Sequence, residues 1–278
     1  MRPPSRRASA FSGCKAVTAP FFVEEIDSRG VARITLTRAE AHNVFNDVLI
    51  GELTTALRGL EEDERVRLVV LAAQGRSFSA GADLNWMKAM AGYSEAENRE
   101  DALRLAKLMQ TLNGLSKPTL ALVQGPAYGG GVGLVACCDI VVAAEAATFC
   151  LSEVKLGLIP AVISPYVIAA IGEAAARRYF LTAEVFSAWE AQRLGLVHEV
   201  VEAGALDQTG RQLAAKLLDG GPLAQAAAKD LIFAVTETSG DGLIEDTAER
   251  IAAVRASKEG REGVAAFLEK RKPHWRRD

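Results

Sequence analysis

Polar and apolar residues alternate along residues 21–27 and again along 31–37, on either side of Ser28-Arg29-Gly30. A period of two interrupted by a glycine turn predicts a β-hairpin. The period then lengthens: Leu49, Leu53, Ala56, Leu57 and Leu60 recur at helical spacing over 46–62, behind Asn46, which suits an N-cap. Residues 67–73, RLVVLAA, lose the alternation, and a continuous apolar run of this kind predicts a strand covered on both faces. A small-residue loop follows from Gly75 to Asp83, GRSFSAGAD, and then an irregular stretch, 84–94, carrying Trp86 and Met87. Leu103, Ala106, Met109 and Leu112 mark one face of a helix over 95–115. Residues 119–124 read as a second buried strand, a short helix follows, and 140–144 reads as a third strand. Beyond Pro160 the pattern predicts helices over 164–182, 187–194, 204–219, 222–238, 241–257 and 261–271, with one strand at 196–201.

Strands alternating with helices define an α/β fold. No linker rich in proline or glycine divides the chain. Residues 21–200 are therefore expected to form the α/β core, and 201–278 a helical region that packs on its own core or on a neighbouring subunit. Residues 1–20 are rich in Arg, Ser, Pro and Ala and contain no acid, the composition of a transit peptide or of a disordered extension. A disordered extension is expected.

Composition narrows the function class. The 278 residues are 49% hydrophobic and 24% charged with a net charge of −3, an ordinary globular balance that favours neither a nucleic-acid nor a membrane partner. No run of 18 apolar residues free of charge occurs, so no spanning helix is expected. Cys14, Cys137, Cys138 and Cys150 form no CxxC pair, which fits a reducing cytoplasm, and adjacent Cys137 and Cys138 read as small core residues. No metal site is expected, because His42, His198 and His274 lie far apart in the chain without clustered acids. A serine-hydrolase GxSxG is missing, and neither Ser79 nor Ser152 has an obvious histidine partner.

Candidate chemistry concentrates in residues 117–138, KPTLALVQGPAYGGGVGLVACC. A strand leads through Gly125-Pro126 into Gly129-Gly130-Gly131 and a helix start, where N–H groups unshielded by any Cβ point at an anion. Gly131 to Ala136 fits the dinucleotide pattern GxGxxG/A. Six residues separate it from the strand end, however, and the following helix is too short for a βαβ crossover. No GK[ST] follows, which excludes a Walker A loop. A second small-residue loop, Ser79-Ala80-Gly81-Ala82-Asp83-Leu84, follows the strand at 67–73 in the same way. Two such loops after neighbouring parallel strands open on one sheet edge, and each offers a backbone N–H to a shared oxygen. That is the construction of an oxyanion hole.

Four segments, FSAGADL, KPTLALVQGPAYGGGVGLVACCDI, FCLSEVKLGLIP and AFLEKRKP, resemble the enoyl-CoA hydratase/isomerase (crotonase) family in kind and in order, over residues 21–275. The resemblance implies a crotonase-like spiral of β-β-α repeats with a helical C-terminal trimerisation region, assembled as a homotrimer or as a hexamer of paired trimers. It implies an acyl-CoA substrate, with coenzyme A as part of that substrate and no separate cofactor. It places the oxyanion-hole N–H groups at Ala82 and Gly130. Contacts to CoA are implied for the backbone of Ala80, Asp83, Leu84 and Asn85, and for Phe267 and Lys270, often across subunits. Glu153 matches the position that moves a proton at the α-carbon. A carboxylate in an apolar pocket has a raised pKa, which suits that work.

One departure stands out. The family's hydratases usually carry a second glutamate directly after GGG-x, and here that position is Gly133. Either Glu153 handles water and α-carbon alone, or another group or the substrate's own carboxylate helps, or the reaction is a one-acid Δ3,Δ2-enoyl-CoA isomerisation. The segments ADLNWM, GVGLVACCDI and FCLSEVKLGLIPAVISPYV further resemble the hydratases of 3-methylglutaconyl-CoA, in leucine breakdown, and of isohexenylglutaconyl-CoA. Ala161 to Pro165 replaces the family's common GxGGTQ, which implies a different acyl pocket. The expected reaction is hydration of a branched 2-enoyl-CoA. A non-catalytic acyl-CoA-binding or RNA-binding scaffold is the alternative from another class.

Overall fold

A computed structural model of the chain describes residues 20–237 and 240–276. The expected extension at 1–20 therefore lies, but for Pro20, outside the described residues. The strands are β1 (Phe22–Ile26), β2 (Val31–Leu36), β3 (Leu68–Ala73), β4 (Thr119–Val123), β5 (Ala127–Tyr128), β6 (Ile140–Ala144), β7 (Thr148–Cys150), β8 (Phe186–Ser187) and β9 (Glu199–Val201). The main sheet has the order β1-β2-β3-β4-β6-β9, and β5-β7-β8 form a small second sheet. β1 and β2 are the expected antiparallel hairpin. Its turn is fixed by the Asp27 carboxylate, which accepts from the N–H groups of Arg29 and Val31, and by Gly30 at φ 89°. Every later pairing in the main sheet is parallel.

The continuous apolar runs have a structural reason. In β3, Val69 and Leu71 face one apolar layer, while Leu68, Val70 and Ala72 face another. The first layer is covered by α1 (Asp47–Glu62) and α3 (Glu95–Asn113), with Leu49, Leu53, Leu57 and Leu60 against Leu108, Met109 and Leu112. Asn46 caps α1 by accepting from Leu49 N–H at 2.8 Å, and Ser94 and Glu97 close a capping box on α3. The second layer is covered by α7 (Leu206–Asp219) through Leu206 and Ala214.

Between these lie α2 (Leu84–Met90), α4 (Gly130–Ala136), α5 (Ser164–Thr182) and α6 (Ala188–Leu194). The stretch 84–94, expected to be irregular, is thus helical at its start. The Asp83 carboxylate accepts from the N–H groups of Asn85 and Trp86 and starts α2. Gly172, at φ 76° and ψ 159°, kinks α5. The predicted strand at 196–201 pairs only from Glu199. The helices α8 (Pro222–Glu237), α9 (Asp241–Ala256) and α10 (Lys258–Leu268) pack on one another, the last starting earlier and ending sooner than the 261–271 expected. Lys229 of α8 reaches the core, its Nζ 2.8 Å from Asp139 Oδ2 at the start of β6.

β4 and β6 are parallel neighbours although α4 is short. The whole connection from Val123 to Ile140, including β5, makes the crossover. The shortness of the helix was therefore no argument against a crossover here. No helix of the described residues is long and apolar enough to cross a membrane.

Candidate functional site

β3 and β4 run parallel side by side, so the loops after Ala73 and Val123 emerge at the same sheet edge. The first loop is templated by residues 42–45. His42 and Asn43 adopt left-handed backbone, φ 54° and 51°, and reverse the chain beneath the loop. The buried Asn43 side chain donates to the carbonyls of Gln74 and Ser77, both at 2.9 Å, while His42 O accepts from Ala80 N–H. Phe45 N–H donates to Gly81 O and Phe45 O accepts from Asp83 N–H, both at 2.7 Å. This parallel pairing uses the groups on either side of Ala82, so the N–H of Ala82 itself turns away from Phe45.

The second loop leans on the first. Phe78 and Ser79 N–H groups donate to Pro126 O, and Tyr128 N–H donates to Ser79 O at 2.9 Å. A Cβ at Gly131 would lie 2.8 Å from Ser79 O, so the close approach of the two loops requires glycine there. Gly130 opens α4, and a helix leaves its first N–H groups without intrahelical partners. Among the described residues, neither Ala82 N–H nor Gly130 N–H meets an acceptor. Phe45 links them, its backbone paired to Ala82 and its ring 3.6 Å from where a Gly130 Cβ would lie.

Glu153 comes from the small sheet. Gly129 N–H donates to Cys150 O at the end of β7, and a 3-10 turn, Glu153–Leu156, begins three residues later. A Cβ at Gly129 would lie 3.1 Å from Glu153 Oε1, so the carboxylate sits against the bare α-carbon beside the start of α4. Glu153 Oε2 is buried and has no hydrogen-bond partner among the described residues. Burial raises its carboxyl above the ordinary 4.5, partly offset by its own backbone N–H. Gly133 lies one helical turn further along α4, where a Cβ would fall 2.3 Å from Ile163 Cγ2 and 3.1 Å from Met109 Cε. Ile163, itself buried, fills the space a side chain at 133 would need.

The remaining predicted residues are more scattered. Ala80 lines a cavity of about 400 Å³ with His42, Arg76, Ser77, Pro126 and Tyr128. Asp83 is committed to capping α2, and Leu84 and Asn85 are exposed on that helix. Phe267, 82% exposed, and Lys270, at φ 54°, stand at the far end of α10, which packs on α8 and α9. Cys137 and Cys138 are buried, as expected of core residues. Among the described residues no three His, Cys, Asp or Glu side chains gather to hold a metal. Residues 42–45, Arg76 and Tyr128 were not anticipated. Their contribution is largely backbone direction and cavity lining, and the adjacent left-handed pair at His42 and Asn43 has no glycine to announce it.

A family model described as Enoyl-CoA hydratase/isomerase matches residues 27–278. The chain is 33% identical over 247 residues to the 2,3-dehydroadipyl-CoA hydratase of Escherichia coli, covering 88% of this chain and 95% of that protein. It is 32% identical over 247 residues to the crotonyl-CoA hydratase of Syntrophomonas wolfei, covering 88% and 94%. Among solved structures it resembles an enoyl-CoA hydratase from Shewanella pealeana with a TM-score of 0.89 and 45% identity, over 92% of this chain and 96% of the other. Pseudomonas aeruginosa AtuE is similar at a TM-score of 0.89 and 36% identity, over 93% and 100%.

Proposed function

The chain belongs to the enoyl-CoA hydratase/isomerase family of enzymes, and on that premise we propose that it hydrates a 2-enoyl-CoA thioester to the 3-hydroxyacyl-CoA, with a branched, glutaconyl-type acyl group preferred. The observation that carries this reading is the juxtaposition at α4. The half-buried carboxylate of Glu153, whose Oε2 meets no partner among the described residues, lies against Gly129, next to a helix-start N–H without an acceptor among those residues. In the reaction the thioester oxygen accepts from Ala82 and Gly130 N–H groups. Water adds through its oxygen to C3, its proton passes to the Glu153 carboxylate, and the electron pair of the double bond moves to the enolate oxygen. Glu153 then returns a proton to C2, so one water is added and the carboxylate is regenerated. Losing one donor of such a hole typically costs about 2.7–4 kcal/mol.

Ile163 fills the space that a side chain at Gly133 would need, which supports Glu153 performing both proton transfers on one face. The names of the relatives, hydratases of 2,3-dehydroadipyl-CoA and of crotonyl-CoA, support hydration. The bare Gly133 is also what favours the second reading, Δ3,Δ2-isomerisation, in which one acid moves a proton between C2 and C4. The segment Ala161–Pro165, which carries Ile163, supports a pocket shaped for a branched chain. The Ala80 cavity, lined also by Arg76 and His42, suits the CoA moiety. Exposed Val264, Phe267 and Leu268 on α10 support assembly with further copies of the chain, through which Phe267 and Lys270 reach a neighbour's CoA. A panel of thioesters tests the reading. The conjugated absorbance of 3-methylglutaconyl-CoA and crotonyl-CoA should fall with enzyme, faster for the former. Appearance of that absorbance from a 3-enoyl-CoA, with no consumption of 2-enoyl-CoA, would replace hydration by isomerisation.

A further inference from the structure

Glu153 opens a 3-10 turn of four residues, and such a turn holds its own geometry weakly. Ser152, at its N-cap, makes no side-chain cap hydrogen bond. On the far side Leu156, Leu158 and Ile159 are exposed, so packing does not hold the turn there. Among the described residues, one side chain of the turn is hydrogen-bonded outside it: Lys155 Nζ donates to Ala183 O at 2.6 Å.

That carbonyl is a fixed point. Ala183 is fully buried and ends α5 in left-handed backbone, φ 48°, with its N–H on Tyr179 O. The same Ala183 oxygen accepts from Cys150 Sγ at 3.5 Å, and Cys150 O accepts from the N–H of Gly129. One buried carbonyl therefore ties the end of β7, and through it Gly129, to the turn that presents Glu153. An ammonium donor makes this tie a charge-assisted hydrogen bond, roughly twice as strong as a neutral one.

We propose that Lys155 is a positioning residue, clamping the turn to the end of α5 so that the Glu153 carboxylate stays against Gly129. The inference rests on the reading of Glu153 as the acid. Three variants, Lys155→Met, Lys155→Arg and Glu153→Gln, are compared by steady-state kinetics on a 2-enoyl-CoA and by thermal unfolding. Displacement of a reacting group by 1 Å costs on the order of 10²-fold, so Lys155→Met should lower kcat by roughly 10- to 100-fold. Its KM should stay within about twofold, because thioester binding is untouched. Lys155→Arg, which still reaches the carbonyl, should recover most of kcat. The clamp is overturned if Lys155→Met keeps wild-type kcat while Glu153→Gln has lost turnover. It is equally overturned if the loss falls on KM, if arginine rescues nothing, or if Lys155→Met abolishes the thermal transition, which would make the role fold-wide. Full activity of Glu153→Gln would remove the acid assignment itself, and the clamp with it.

Discussion

Replacing Gly129 by alanine perturbs the site at one atom. Gly129 holds φ 50° and ψ −119°, a conformation that L residues rarely adopt, and forcing one into such a region costs about 1–3 kcal/mol. The new Cβ would lie 3.1 Å from Glu153 Oε1, tighter than the 3.4 Å at which ordinary contact begins. Either the carboxylate or the start of α4 must give by a few tenths of an ångström, and α4 carries the Gly130 N–H. Because 1 Å of misplacement costs on the order of 10²-fold, this smaller shift should lower kcat by roughly 3- to 10-fold. Gly172→Ala supplies the control. Gly172 is also strained for an L residue, φ 76° and ψ 159°, but nothing lies within 4 Å of its Cβ position. Both variants should lose about 1–3 kcal/mol in urea unfolding, while only Gly129→Ala should lose kcat in the enoyl-thioester assay. Wild-type kcat in Gly129→Ala, or an equal loss in both, would refute the placement of the carboxylate.

Two further expectations test the surroundings. Gly133→Glu, which restores the family's second acid in sequence, should fail in structure. Its Cβ meets Ile163 Cγ2 at 2.3 Å, and overpacking of that kind costs typically about 1–3 kcal/mol before the cost of burying a carboxylate is added. Adding Ile163→Ala should recover part of the loss in denaturant titration, and equal stability of the single and double variants would contradict the packing. Glu153→Gln should raise the thermal midpoint at neutral pH. A carboxyl whose folded pKa is raised favours the folded state below its unfolded pKa, and that contribution is lost as pH rises through the folded value. The gain of the variant over the wild type should therefore vanish below about pH 4.5, where the carboxyl is protonated in both states.

Much of the scaffold was written in local pattern. The double-faced strands β3 and β4, the capped helix α1 and the two small-residue loops all follow from residue type and spacing. The parallel pairing of β3 with β4 then brings the loops together as expected. What escaped is non-local or very short. β5, β7 and β8 have two or three residues each, too few for a period to register. α2 starts on a side-chain cap at Asp83 rather than on an apolar stripe. Glu153 was legible only through resemblance, because its burial depends on Gly129 and Cys150, which β5–β7 pairing brings to it. The template at His42 to Phe45 combines backbone hydrogen bonds with the Asn43 side chain, and its left-handed pair has no glycine to mark it. Phe267 is exposed near the end of α10, and Lys270 follows that helix.

In the proposed reaction one half-buried carboxylate, Glu153, moves the protons beside the N–H groups of Ala82 and Gly130. The most direct test is the turnover of Glu153→Gln on a 2-enoyl-CoA, followed by loss of the conjugated thioester absorbance, with thioester binding and thermal unfolding measured alongside. The expected variant is folded, still binds the thioester, and has a kcat lowered by about 10²–10⁴-fold. A folded variant turning over within a few-fold of the wild type would contradict that role of Glu153.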